Sequence, residues 1–498
     1  MPRPFRFVAP FLIPLAACSS VQDDFSRQLL QPPPGWLAEP ADVGLAAEPF
    51  EIVLHSAASL TGFWIPNERA ERRTVVVFHD ERSNCSVLHP YYRFLHDAGF
   101  QVCVFDPRGF GRSKGTPTLQ AWIHDVPELL DWLHARPDVE PERTAYFGTG
   151  LGSTAALWAA RTQRRCAALV LEGLPSPRAI VRESVTDDGS ALSALTAGMV
   201  EFAGMPDDIE PEEGAPRLQI PALFLIGEAE PARDRIALGQ SFRAYGGPKH
   251  LWLLRGTRAA PHALLQHDGE YQRRIGAFLQ AAFAGQAAGP LAAGSKTADL
   301  PDGRSWYEVQ VSGAATDTPV AIEAGVMLVD GTMQFARGWL EHGRARVRLK
   351  LPSAPLAVGA ADVAAATPDP EQVWRETRTP LAEAAAAIEP LWPRIDELRN
   401  GALGRTEMVA LADRLGTAPW PAQLEAELAD VFAELGRGLV AADDAALRQR
   451  GAALLQRAVA AMPAQPLLHW WAGATTTWGF PQEAAVQNAK LLLAAPAQ

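Results

Sequence analysis

Between Glu48 and Ala284, short apolar or β-branched runs recur: FEIVLHS, GFWIP, TVVVFHD, QVCVFDP, TAYFGTG, AALVLEGL, ALFLIGE and HLWLLRG. From the third run onward, the stretches between them are long enough for crossover helices. Unbroken apolar runs suit strands covered on both faces, and their alternation with helical patterns indicates βαβ units. The pattern predicts an α/β domain over residues 48–285, built on a doubly wound, mostly parallel eight-stranded sheet.

The pattern changes after residue 285. AGQAAGPLAAGSKTADLPDG has no periodicity and reads as a linker over 286–303. WYEVQV, VAIEAGVMLVDG, MQFARGWLE and RARVRLKL then alternate with period two. In the last, Ala345, Val347, Leu349 and Leu351 point one way and Arg344, Arg346, Arg348 and Lys350 the other. This predicts a small antiparallel β domain over 304–358 with one buried face. Its basic stripe reads either as a solvated sheet surface or as a binding face. Residues 370–496 are Ala-rich and broken by Pro and Gly, which predicts an all-α region of helical hairpins. These hairpins faintly resemble tetratricopeptide pairs, without a clear repeat of roughly 34 residues. Trp470, Trp471 and Trp478 could pack a core there or line a peptide groove.

The N-terminus, MPRPFRFVAPFLIPLAAC, carries Arg3 and Arg6 and then an apolar stretch from Phe7 to Ala17. That is shorter than the about 20 apolar residues of a membrane span and has the proportions of a signal peptide, residues 1–17. Leu15-Ala16-Ala17-Cys18 resembles the lipobox of bacterial lipoproteins. The resemblance implies that Cys18 is lipidated and that the membrane is a partner through its acyl chains. Ser19 is not acidic, which points to the outer membrane of the cell envelope, facing the periplasm. Residues 18–47 are polar and Pro-rich and read as a tether.

Charge and cysteines narrow the partners. A formal net charge of -12 with no basic run argues against nucleic acid. Beyond Cys18 only Cys85, Cys103 and Cys166 remain, too few for a disulfide framework. With neither C-x-x-C nor H-E-x-x-H, no metal and no cofactor is expected.

The chemistry centres on RTAYFGTGLGSTAALWAA, where a β-like run breaks into small residues and then an Ala-rich helix. This is the local pattern of a nucleophile elbow, G-x-S-x-G, but the five residues are Gly148, Thr149, Gly150, Leu151 and Gly152. Upstream, Asp106-Pro107-Arg108-Gly109-Phe110-Gly111-Arg112-Ser113-Lys114-Gly115 resembles a D-x-R-G-x-G-x-S-x-G loop. From Phe50 to Phe283 the chain resembles the α/β-hydrolase superfamily, near its membrane-associated, serine-aminopeptidase-like branch.

That resemblance implies a set of positions. Gly150 stands at the nucleophile, with the serine absent. Glu230, three beyond Gly227, takes the acid position, and His262 the base position, with His267 as a second choice. The oxyanion donors would be the Leu151 N–H and a group on the loop His79-Asp80-Glu81-Arg82-Ser83-Asn84, at Asp80. There the branch resembles H-G-x-x-G-N, whereas here both glycines are gone and two carboxylates stand where an anion would form. Thr149 precedes the turn, Ser153 follows it, and Cys85 or Ser83 on the facing loop could approach. The segment at about 176–216 would cap the cleft.

Two functions follow, beside a purely structural role in the cell envelope. One is a lipid-anchored pseudo-hydrolase that binds or scaffolds, with a protein or peptide partner on the C-terminal β and helical regions. The other is an active ester or amide hydrolase using Cys85, Ser83 or a water activated by Glu230 and His262.

Overall fold

The computed structural model describes residues 38–163, 165–180, 209–255, 268–286, 291–299, 304–313, 320–362 and, with short gaps, 384–461, together with a few isolated positions such as Leu30 and Trp36. The eight apolar runs form eight strands of one sheet: β1 (Glu48–Val53), β2 (Ser59–Ile65), β3 (Thr74–Phe78), β4 (Gln101–Asp106), β5 (Thr144–Thr149), β6 (Leu169–Glu172), β7 (Ala222–Gly227) and β8 (Lys249–Leu254). Their order is β1-β2-β4-β3-β5-β6-β7-β8. Only β2 runs antiparallel to its neighbours; from β4 to β8 the pairs are parallel.

Every residue of β3 to β7 is buried, because helices cover both faces. On one side lie α1 (His89–Asp97) and α6 (Asp268–Phe283). On the other lie α2 (Leu119–His124), α3 (Val126–His134), α4 (Leu151–Gln163) and α5 (Ala232–Ala244). Pro90 and Pro127 open α1 and α3, at positions where a missing N–H costs nothing. Tyr91, Tyr92, Phe94 and Leu95 give α1 its buried stripe.

Beyond α6, β9 (Leu291–Asp299), β10 (Ser305–Ser312), β11 (Val320–Leu328), β12 (Met333–Leu340), β13 (Arg344–Leu351) and β14 (Pro355–Asp362) make two antiparallel sheets. Their orders are β13-β10-β9 and β12-β11-β14. Val309, Val347, Leu349 and Leu351 of the first face Ile322, Val326 and Leu328 of the second across a common core. The second sheet also sits on the α/β domain. Its Met327, Met333 and Ala357 join the cluster holding Leu251 and Leu253, and Arg273 pairs with Asp362 at 2.8 Å.

The C-terminal helices α7 (Trp392–Arg399), α8 (Arg405–Gly416), α9 (Ala429–Val440) and α10 (Ala445–Ala461) follow, with α9 and α10 forming a hairpin. Val431, Phe432, Leu435 and Leu439 belong to the same contiguous cluster as α1 and α6, so this region is built onto the α/β domain. Among the described residues no helix is long and apolar enough to cross a membrane.

Two boundaries differ from the sequence reading. Residues 291–299, read as linker, are strand β9, paired residue by residue with β10. LAAGSKTAD carries no apolar alternation of its own, and its pairing comes from the backbone of β10. The β region accordingly runs from 291 to 362 rather than 304–358. The tether reading of 18–47 fails from Leu30 on: Leu30 is buried in one core cluster, and Ala38, Val43 and Leu45 in the other. Trp36 stacks at 4.5 Å from Phe63, lies under the Arg112 guanidinium at 4.1 Å, and donates its indole N–H to Asp106 at 2.5 Å. The hairpin tryptophans Trp470, Trp471 and Trp478, most of the cap and Cys18 lie outside the described residues.

Trp36→Phe keeps the ring but removes a donor from the fully buried Asp106 carboxylate. It is expected to cost about 1.5–3 kcal/mol, read from urea unfolding; a free tether would give no change.

Candidate active site

At the end of β5 the chain turns through Gly150 and enters α4 at Leu151. Gly150 has φ +53°, the left-handed region that costs an L-residue roughly 1–2 kcal/mol. Its N–H donates to Glu172 O at 2.9 Å, and its carbonyl accepts from Ser153 N at 3.0 Å. On either side the backbone approach leaves no room: a Cβ on Gly148 would fall 2.3 Å from Ser153 Cα, and one on Gly152 2.2 Å from Phe78 O. The strand-to-helix geometry of a nucleophile elbow is therefore complete, with a bare Cα at its tip.

The loop after β3 lies over that tip. A Cβ on Gly150 would meet Asp80 Cβ at 2.9 Å and Glu81 Oε2 at 3.0 Å. The Leu151 N–H, the expected oxyanion donor, is already engaged, donating to Glu81 Oε2 at 3.3 Å. Burial raises the Glu81 carboxyl and the Asp80 charge adds to this, while the Arg82 charge and the Leu151 N–H oppose them. Asp80 is fixed in turn, accepting from Arg82 N at 2.9 Å and Ser83 Oγ at 2.7 Å. Arg82 reaches out of the loop to Glu434 on α9 at 3.1 Å, so the helical region holds the loop from above.

More carboxyls surround the elbow. Glu172, at the end of β6, is fully buried and accepts from Tyr91 OH at 3.3 Å and from Tyr271 OH. Burial pushes it up to about 8; the two tyrosines pull it down, and Glu230 and Asp80 add repulsion. Asp234, at the start of α5, is pushed up to about 7 by burial, with Arg233 opposing and the charges of Glu230 and Glu81 adding. Glu230 lies in the turn after β7, its N–H donating to Gly227 O at 3.2 Å. The charges of Asp80, Glu81 and Glu230 thus disfavour ionisation of Glu172 and Asp234, and carboxylate charge beside the elbow likewise opposes a tetrahedral oxyanion. Among the described residues no group of three or more His, Cys, Asp or Glu is placed to hold a metal ion.

The remaining candidates separate clearly. Cys85 points into the core, giving its thiol to Asp106 Oδ2 at 3.1 Å. Burial and the neighbouring Asp106 raise that thiol well above its ordinary range, so it cannot serve as a thiolate nucleophile. Thr149 is buried, and Ser153 is buried with its hydroxyl donating to Glu172 O at 3.3 Å. Ser83 alone among them carries its hydroxyl on the loop above the elbow. His262 and His267 lie outside the described residues. The D-x-R-G-x-G-x-S-x-G loop is a brace: Asp106 accepts from Trp36 and from Cys85 N at 2.6 Å, Arg108 grips Asp125 at 2.5 and 2.9 Å, and Ser113 Oγ donates to Asp106 O at 2.7 Å. The parts that sequence reasoning missed are the seat of Glu81, and Glu172 and Asp234. A charged residue ending the apolar run LVLE was the available signal for Glu172.

Residues 69–186 match the family described as serine aminopeptidase, S33, a range that includes the loop after β3, the brace and the elbow. The uncharacterized protein YfhR of Salmonella typhi is 29% identical over 191 residues, covering 37% of this chain and 64% of that protein. The uncharacterized protein Rv2307c of Mycobacterium tuberculosis is 34% identical over 158 residues, covering 29% of this chain and 54% of its own. The chain thus spans less than two thirds of the length of either relative. Among solved structures, the esterase Pf2001 of Pyrococcus furiosus aligns over 51% of this chain and 97% of its own, at 21% identity and a TM-score of 0.40.

Glu172 sets a pH dependence. The native state keeps a proton up to about 8 that an unfolded carboxyl sheds at 4.5, so its contribution is full below 4.5 and is lost as pH rises through that window. Glu172→Gln is expected to reduce the fall in urea midpoint between those pH values, leaving the equal slope of Asp234, which ends near pH 7.

Proposed function

We propose that this chain, whose α/β domain belongs to the α/β-hydrolase superfamily, has kept the hydrolase scaffold and given up serine-dependent turnover, and works as a lipid-anchored binding or scaffolding protein of the cell envelope. The observation that carries this reading is the Glu81 carboxylate on the Leu151 N–H, beside a nucleophile position that has no side chain. A substrate carbonyl needs that N–H free and pays a further electrostatic penalty beside Asp80 and Glu81. Loss of one oxyanion donor costs about 100- to 1000-fold in rate, and loss of the nucleophile on the order of a millionfold. The two losses occur at one place, and glycine keeps the left-handed turn without strain. In this reading the appended β and helical regions serve protein or peptide contacts, and acyl chains on Cys18 hold the protein at the outer membrane, facing the periplasm.

A second reading is hydrolysis by Ser83, favoured by its hydroxyl donating to Asp80 beside the elbow. The two are separated by a fluorophosphonate probe and p-nitrophenyl esters on the full chain. The expected result is neither labelling nor turnover; labelling at Ser83 that disappears in Ser83→Ala overturns the first reading. Gly150→Ser alone is expected to stay inert, because Asp80 crowds the new side chain and Glu81 still fills the donor site. Gly150→Ser combined with Asp80→Gly and Glu81→Gly, which clears both the contact above the tip and the donor site, is expected to label at position 150. Activity in the single variant would show that Glu81 does not block the hole.

The anchor has its own test. Cells fed an alkyne fatty acid are expected to incorporate it into the protein, and Cys18→Ala to abolish incorporation; equal labelling of the variant removes the anchor.

A further inference from the structure

The outer face of the sheet β13-β10-β9 reverses the sign of the molecule. Along β13, Arg344, Arg346 and Arg348 are exposed and Lys350 half-buried, while Ala345, Val347, Leu349 and Leu351 face the core. Two-residue spacing sets the cations about 7 Å apart along the strand. The strand register sets Trp306 opposite Lys350, Glu308 opposite Arg348, Gln310 opposite Arg346 and Ser312 opposite Arg344. On the far edge Leu291 pairs with Ser312. Trp306 and Leu291 are 38% and 44% exposed, two of only four large apolar side chains so exposed among the described residues. Glu308 lies beneath this layer, 5% exposed, with Arg346 at 3.8 Å and Arg348 at 3.4 Å, and so steadies both guanidinium groups without covering them. Their side chains remain 75% and 69% exposed.

We infer that this face docks on an anionic phospholipid bilayer. Four cations over one buried carboxylate, on a chain of net charge -12, concentrate positive potential on one sheet face. Guanidinium groups match phosphate oxygens in pairs. The exposed Trp306 at one end and Leu291 at the other supply side chains that gain from the headgroup boundary, where tryptophan is favoured. A nucleic acid offers phosphates but no apolar phase for those two side chains, and the net negative charge repels it at longer range. The inference goes beyond the reading of Gly150 and does not depend on it.

The test uses the full chain carrying Cys18→Ser, so that acyl chains do not dominate, sedimented with phosphatidylcholine vesicles with and without phosphatidylglycerol. Each basic residue near an anionic surface contributes about fivefold in partitioning, so Arg344→Gln/Arg346→Gln/Arg348→Gln is expected to lose about 100-fold. Because that variant leaves Glu308 unpaired, Arg344→Gln/Lys350→Gln provides a second arm, expected to lose about 25-fold with both Glu308 partners intact. Binding is expected to require phosphatidylglycerol, to weaken with salt, and to weaken further in Trp306→Ser. Equal partitioning of parent and both variants, equal binding to both vesicle types, or binding to duplex DNA but not to vesicles would overturn the proposal.

Discussion

A strand, a helix and a loop converge on Gly150 with less space between them than one side chain needs. β5 and α4 approach through Gly148, α4 and the end of β3 through Gly152, and the loop after β3 closes the remaining side with Asp80 and Glu81. This crowding decides the character of the site. An elbow built to present a hydroxyl needs a gap above its tip and an unengaged N–H beside it; here the gap is filled and the N–H is bonded. The carboxyls around it are tolerated because the fold supplies partners or keeps protons on them. Tyr91 and Tyr271 donate to Glu172, and burial holds it protonated.

The appended regions are continuous with this arrangement. Arg82 ties the loop to Glu434 on α9, while α9 packs in the same apolar cluster as α1 and α6. Glu81 is next to Arg82 in the chain, so the seat of its carboxylate is coupled to the docking of the helices. The β domain is joined on another side, through Arg273 and Asp362 and through Met327 and Met333. The α/β domain is thus a hub that carries both additions on its outside.

Much of the fold was legible in the sequence. Eight apolar runs became eight strands, and the alternation in RARVRLKL reproduced the buried and exposed faces of β13, because both signals are local and periodic. What escaped was non-local. LAAGSKTAD is a strand only because β10 offers it a ladder. Trp36 belongs to the core because an indole donor meets the buried Asp106, 70 positions away in the chain. At the site, the elbow and the missing serine could be read directly, since G-x-S-x-G is a local motif. The seat of Glu81 on Leu151, again 70 residues apart, needed the fold to bring them together. The inertness of Cys85 likewise follows from where its side chain points.

The burial of Leu30 in the core, ahead of the Trp36 clamp between Phe63 and Arg112, also limits the reach of the anchor proposed at Cys18. The twelve residue steps from Cys18 to Leu30, fully extended at about 3.5 Å each, span no more than roughly 40 Å. On that proposal, whatever the hub engages has to come to a shallow layer above the lipid.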